Sequence, residues 1–372
     1  MSPVLSGRPD RILAEAVAGL LPDGLVAVPV RPGDVESVTE LMRAAELAAC
    51  GSSTTNLAEV RNDLAGADCG WQRGAAMVRR DDGHADGGSL LGALVIFDLL
   101  ADGGWLDVDP YVLPDDGQAV ALAGALVEAG LAEGRARWAW LREGPASSGY
   151  AGSPEGSESP TPADPLAKGG CYAADAITRT AFEANGFAEV RRFWRMQIDH
   201  PVDRGDSPGG AAGSPPAPLA DGYRIRPFRA DDPAEWQAMF EVGQRSFADH
   251  FDFTPSRYDT WRAHVTGTTD DVTQWLVVER DEQMVAFIRG SDRYASEGAG
   301  YVPTLGVLRE HRGRGLARAL LAARFADDAR RGRGTTLLHV DSESPTGATR
   351  LYESVGMRVQ EEIVAFHRPL LD

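Results

Sequence analysis

Two periods of apolar residues organise the second half of the chain. Alternation with period two marks 223–228, 273–280, 284–292, 300–307, 335–341 and 357–367, and predicts strands there. Apolar positions three and four apart predict helices over 233–245, 256–265, 316–331 and 348–355. The tetrapeptide "RDEQ" between the second and third strands predicts a hairpin. The order is β-α-α-β-β-β-α-β-α-β, an α/β (α+β) arrangement: a mixed, mostly antiparallel sheet flanked by helices.

The first half carries the same pattern at both ends. It opens with "LVAVPVRPGDVESVTELMRAA", where the second half has "YRIRPFRADDPAEWQAMFEVG". It closes with "RTAFEANGFAEVRRFWRMQI", matching "TRLYESVGMRVQEEIVAFHR": a helix, a glycine at its end, and a terminal strand pair. Matching ends predict a duplicated unit. Residues 201–221, rich in Pro, Gly, Ala and Ser, cannot bury enough apolar surface to fold and read as an interdomain linker. The expected domains are therefore 1–200 and 222–372, with a mobile surface loop at 147–170.

Composition narrows the class. A chain of 372 residues exceeds the usual single core, and 43% hydrophobic with 25% charged residues is ordinary for a soluble protein. No apolar run is long enough for a membrane span, and the N-terminus lacks a signal-peptide pattern, so a cytoplasmic protein is expected. Three cysteines without CxxC spacing and seven histidines without HExxH spacing predict neither a disulfide framework nor a metal site. A net charge of −18 disfavours nucleic acid and anionic lipid, and would suit a cationic small substrate. Lys168 is the only lysine, so arginine is plentiful by composition and its spacing, not its presence, must carry any functional argument.

The informative spacing lies in "REHRGRGLARALL", residues 309–321. Arg312, Gly315 and Ala317 form Arg-x-x-Gly-x-Ala at a strand-to-helix junction. Glycine permits positive φ and close backbone approach. The first amides of the following helix are unsatisfied donors at the positive end of its dipole, suited to an anion. Arg312, Arg314 and Arg318 can add charge-assisted bonds to phosphate. No Gly-Lys-Ser/Thr follows, so this is not a Walker loop. Arg318 stands where a dinucleotide fingerprint needs its third glycine.

Together with "YVPTLGV" before it and "TTLLHVDSESPTGATRLYESVGM" after it, this segment resembles the acyl-CoA-binding half of the general N-acetyltransferase (GNAT) superfamily. The tandem arrangement is similar to the two-domain actinobacterial type that includes mycothiol synthase. The resemblance implies an N-acetyltransferase using acetyl-CoA or another acyl-CoA as cosubstrate, with a small-molecule amine as acceptor. It implies that the backbone of Leu305, Gly306 and Val307 pairs with pantetheine. The loop of Arg312, Gly313, Arg314, Gly315, Leu316, Ala317 and Arg318 would hold the pyrophosphate, with Ser344 where relatives carry asparagine. It implies Tyr352 as general acid to the leaving thiolate. The general base does not carry over, because Tyr301 occupies the strand position where some relatives have a carboxylate. Asp292 and Glu297, just before that strand, are the candidates, each also readable as a solvated loop charge. Phe251 and Phe253, in "HFDF", are expected beside the acceptor, with Tyr301.

In the first half, Pro114, Asp115 and Asp116 stand where the phosphate loop should be, and Phe182 takes the place of Tyr352. That half is expected to be non-catalytic. A CoA-ligand sensor or scaffold is the competing class, and a mycothiol-precursor-like amino sugar the competing acceptor. The oligomeric expectation is a monomer or a homodimer.

Overall fold

The computed structural model describes residues 12–371, apart from 67, 84–87, 101–103, 115–116, 144–163, 201–218, 220–221, 252, 254 and 268–269. It divides into two units: Met1–Arg191 with Ile363–Asp372, and Arg192–Glu362. Most of the predicted linker, and 147–163 of the predicted loop, lie outside the described residues.

In chain order the first unit comprises α1 (Leu13–Ala18), β1 (Leu25–Pro29), α2 (Val35–Cys50), α3 (Leu57–Ala65), β2 (Ala75–Arg80), β3 (Leu90–Leu99), β4 (Trp105–Val112), α4 (Ala119–Glu143), β5 (Leu166–Tyr172) and α5 (Ala176–Ala184). β6 (Ala188–Asp199) carries the chain from this unit into the second. There follow β7 (Tyr223–Pro227), α6 (Pro233–Phe247), α7 (Tyr258–Gly267), β8 (Leu276–Arg280), β9 (Gln283–Ser291), β10 (Ala299–Val307), α8 (Leu316–Arg330), β11 (Thr335–Asp341), α9 (Ala348–Ser354) and β12 (Arg358–Pro369). The ten elements predicted for the second half are all present, with ends displaced by at most a few residues. The "RDEQ" hairpin turns on Asp281 and Glu282, both with positive φ (50° and 63°), the pair of left-handed conformations that a tight two-residue turn demands.

The unit boundary departs from the expected one because the terminal strands are exchanged. β6 belongs to the first half of the sequence, yet its residues 193–199 pair antiparallel with β11 inside the second unit. β12 ends the second half, yet Ile363–Pro369 pairs with β5 inside the first unit. The sheet order is β1-β2-β3-β4-β5-β12 in the first unit and β12-β6-β11-β10-β9-β8-β7 in the second.

A second correction concerns the predicted loop at 147–170, since β5 begins at Leu166. Its "KGG" reads as a breaker, but a Cβ at Gly169 would meet the Phe182 ring at 2.4 Å. Glycine is there because the fully buried Phe182 ring fills the space a side chain would need. Phe182 stacks on Phe366 at 5.2 Å and meets Phe187 at 4.9 Å.

In the second unit the core forms where β8, β9, β10 and β11 meet α6 and α8, around Trp275, Met239, Ile288, Leu320 and Met196, each buried to 0% exposure. Beneath α8 runs a buried polar chain. His200 Nε2 bonds to the Thr336 hydroxyl (2.7 Å), which donates to Asp328 (2.6 Å), and Asp328 also accepts from Arg324 (2.9 Å) and Arg333 (3.2 Å). No helix among the described residues is long and apolar enough to cross a membrane.

Candidate active site

The site begins with two strands that part. β10 and β11 run parallel and pair from Ala299↔Thr335 to Val302↔Leu338, where the pairing stops. β11 runs on because β6 holds its other edge through seven register pairs, Thr335↔Asp199 to Asp341↔Phe193. β10 stays with β9 instead, after an irregularity between Tyr301 and Thr304. From Pro303 to Val307, the β10 edge facing β11 therefore has no strand partner among the described residues.

A cavity of about 770 Å³ occupies the gap. Both strands line it, β10 through Thr304, Leu305, Gly306 and Val307, β11 through Leu338, His339, Val340 and Asp341. At one end stands the start of α8. Gly313 (φ +74°) and Gly315 (φ +77°) bend the chain into a left-handed path, and Gly315 caps the helix with no side chain of its own. The amides of Leu316, Ala317 and Arg318 therefore lack intrahelical acceptors. A Cβ on Gly313 or Gly315 would meet nothing within 4 Å, so the space before these amides is open.

The arginines of this loop act mainly on the protein. Arg312 donates to the carbonyls of Val307 (3.1 Å) and Ser246 (2.9 Å), fastening the loop to β10 and α6. Arg318 donates to the carbonyl (3.2 Å) and hydroxyl (2.7 Å) of Ser354, tying α8 to α9. Both still line the cavity; Arg314 does not, and its nearest bond is to Glu310 O at 3.4 Å. Ser344 lines the cavity and shares a hydrogen bond with Thr346 (2.9 Å).

α9 brings Tyr352 to the same cavity. The residue is 8% exposed, and its hydroxyl has no hydrogen-bond partner among the described residues. Burial pushes the phenol up to about 12. Phe240, Phe247, Phe251, Phe253 and Trp261 also line it. Phe251 and Phe253 thus line the cavity, whereas Trp236, 4% exposed, packs edge-on to Trp275 at 5.4 Å as core.

The base candidates fare differently. Neither Asp292 nor Glu297 lines the cavity. Asp292 is bound by Gln274 (2.8 Å) and by Arg333 at the edge of the buried polar chain, and Glu297 lies in an exposed turn. This departs from the expectation: both residues lie in the connection between β9 and β10, outside the cavity lining. Tyr301 stands behind the wall, its hydroxyl 3.1 Å from Nδ1 of His339.

Two lining residues escaped the sequence reading. His339 is held down to about 4 by burial, reinforced by Arg293 and Arg195, so its imidazole is neutral near pH 7. Arg289 projects from β9, 8% exposed, with burial lowering its guanidinium to about 10. Each is a single ionisable residue inside an apolar strand ("MVAFIRG", "TLLHV"), and that interruption was the available signal.

Residues 236–357 match the acetyltransferase (GNAT) family model. This segment is a GNAT acetyltransferase domain. Curated relatives include the mycothiol acetyltransferase of Thermobispora bispora, 32% identical over 179 residues, covering 46% of this chain and 55% of the relative. That of Nocardiopsis dassonvillei is 29% identical over 199 residues, covering 50% and 59%. The chain thus spans little more than half the length of these relatives. A GCN5-related N-acetyltransferase structure from Sphaerobacter thermophilus superposes with a TM-score of 0.72 and 26% identity, covering 94% of this chain and 97% of that one. A tandem GNAT protein from the clavulanic acid biosynthesis pathway, at TM-score 0.60, 15% identity and 94% and 99% coverage, shares the fold.

Proposed function

We propose that the protein is an acyl-CoA-dependent N-acyltransferase whose second unit transfers acetyl from acetyl-CoA to a primary amine of a small molecule. The observation that carries the reading is the convergence, in one cavity, of a free strand edge, free helix amides and an unpartnered buried phenol. Acetyl-CoA supplies the acyl group as a thioester. The amides of Leu316, Ala317 and Arg318 hold the diphosphate, and the β10 edge at Leu305–Val307 accepts and donates to the amide-bearing arm.

Tyr352 presents its hydroxyl to the leaving sulfur. Its proton, held up to about 12, stays on oxygen more firmly than the proton of an ordinary thiol, near about 8.5. Tyr352 therefore works as a hydrogen-bond donor that steadies the departing negative charge. The proton that ends on sulfur comes from the attacking amine, relayed through this hydroxyl.

The first unit repeats the parting of two parallel strands, since β4 and β5 pair only as far as Asp107↔Lys168, but among the described residues it has no counterpart of the Tyr352 phenol. Phe182 is fully buried against Gly169, and the pocket on the corresponding side of β4 and β5 measures only about 170 Å³. Asp115 and Asp116 fall outside the described residues. We assign that unit no acyl-CoA site. The relatives' name favours a second acceptor, an amino sugar of the mycothiol-precursor kind.

Calorimetry with acetyl-CoA tests the first step, and thiol release across an amine library tests the second. One binding event, lost when Gly315 is replaced by a bulky residue, is expected. Binding without transfer to any amine would favour a CoA sensor.

A further inference from the structure

Arg289 is an ionisable residue in the cavity that the transfer chemistry above leaves unused. It lies opposite Thr304, the first β10 residue beyond the irregularity, and so beside the point where the two central strands part. The Trp275 ring, 5.0 Å away, backs its guanidinium. Asp270 takes one terminal nitrogen from outside the cavity lining. Its other terminal nitrogen, Nη1, has no hydrogen-bond partner among the described residues and, unlike Nε, is not closed off by burial.

The cavity wall is more basic than acidic: Arg289, Arg312 and Arg318 line it, against Asp341, among the described residues. Arg289 is the lining arginine that neither the glycine loop nor α8 supplies. Asp341 is the carboxylate among the lining residues, and its Oδ1 already accepts from the Glu343 amide at 2.9 Å. His339, held down first by burial, is lowered further by Arg293 and Arg195, positive charge on the β11 side. Among the described lining residues, a cationic acceptor meets Asp341 as its one carboxylate.

We propose that the acceptor end binds an amine whose small aromatic or apolar body also carries a carboxylate, with the body among Phe240, Phe251, Phe253 and Trp261 and the carboxylate on Arg289. The assignment rests on the acyltransfer reading for the place of the amine, but the anion subsite itself is tested by binding alone. Arginine suits a carboxylate because its fork offers parallel donors, and the surrounding apolar walls strengthen the bond. The positive field also favours the neutral form of the amine, the form that attacks.

The test uses the full chain and two probes alike except at one end, 3-phenylpropionate and 3-phenylpropan-1-ol. The acid is expected to bind at least about tenfold more tightly in calorimetry. Arg289→Gln should erase that ratio, with acetyl-CoA uptake as the folding control. If Arg289→Gln does not fold, Arg289→Lys, which keeps charge but loses the fork, should reduce the ratio. Equal binding of acid and alcohol by the native protein, or an unchanged ratio in either folded variant, overturns the proposal. A transfer arm separates this from the parent reading by comparing thiol release with phenylalanine and 2-phenylethylamine. Selective acid binding with no thiol release from any amine keeps the subsite and sinks acyltransfer. Equal turnover of both amines with equal probe binding does the reverse.

Discussion

Cutting the chain at its low-complexity segment should destroy the second unit, because the segment is not where the fold divides. A fragment covering 222–372 lacks β6. Three losses follow inside the second unit. Met196, fully buried against Leu338, disappears from the core, and removing a buried methionine side chain costs about 2–5 kcal/mol. Arg195 no longer meets Glu361; both side chains are 7% exposed and 2.6 Å apart, and breaking a buried ion pair from one side costs about 3–5 kcal/mol. β11 then loses all seven register pairs on one edge and keeps four on the other. The first two losses alone reach at least about 5 kcal/mol, against a typical total stability of about 5–15 kcal/mol. The fragment 222–372 should therefore show no cooperative melt by circular dichroism, whereas 192–362 should show one. In the full chain, Met196→Ala should lower the melting of the second unit by on the order of 10 °C. A cooperative transition for 222–372 within a few degrees of that for 192–362 would refute the reasoning. The consequence reaches the site, since β6 keeps β11 straight while β10 leaves it.

Tyr352→Phe should leave acetyl-CoA affinity and melting nearly unchanged while lowering turnover by about 100-fold or more, read by thiol release; unchanged turnover would remove the relay. Gly315→Ala forces a Cβ into a φ of +77°, at about 1–2 kcal/mol, without a clash in the protein. Calorimetry should show a further loss of acetyl-CoA affinity beyond that stability change. His339, held down to about 4 against about 6.5 when unfolded, contributes stability that is present above pH 6.5 and lost as pH falls toward 4. Between pH 7 and pH 5 that is about 2 kcal/mol, and His200 and His250, also lowered chiefly by burial, add in the same direction. Denaturant titrations of His339→Gln should show a shallower decline across this window.

The order of strands and helices in the second half was legible because each element is amphipathic at its own period. The start of α8 was legible too, since glycine, helix and arginine stand in sequence. Strand partners were not. Hydrogen bonds in a sheet join backbone to backbone, so nothing in "RRFWRMQI" says that it pairs with "TTLLHVD" rather than with its own half. β5 stayed hidden for a related reason: its glycines make sense only once the Phe182 ring is seen lying on Gly169. The arginines of the phosphate loop show the limit of spacing. Their positions are those of anion ligands, yet the guanidinium of Arg312 is spent on Val307 and Ser246, carbonyls supplied by two other elements.

Net charge misleads at the site because charge acts locally. At physiological salt an exposed charge is screened within about 8 Å, so distant excess carboxylates are felt only weakly in the cavity. Groups in the wall are felt there, and they are screened far less. Arg289 lines that wall while its Asp270 partner sits behind it, which leaves the guanidinium facing the cavity and the carboxylate facing the protein. The protein can thus be acidic overall and yet select an anion at its reacting centre. If phenylalanine and 2-phenylethylamine prove equally good acceptors, the wall charge is neutralised by Asp270, and shape alone governs the choice of amine.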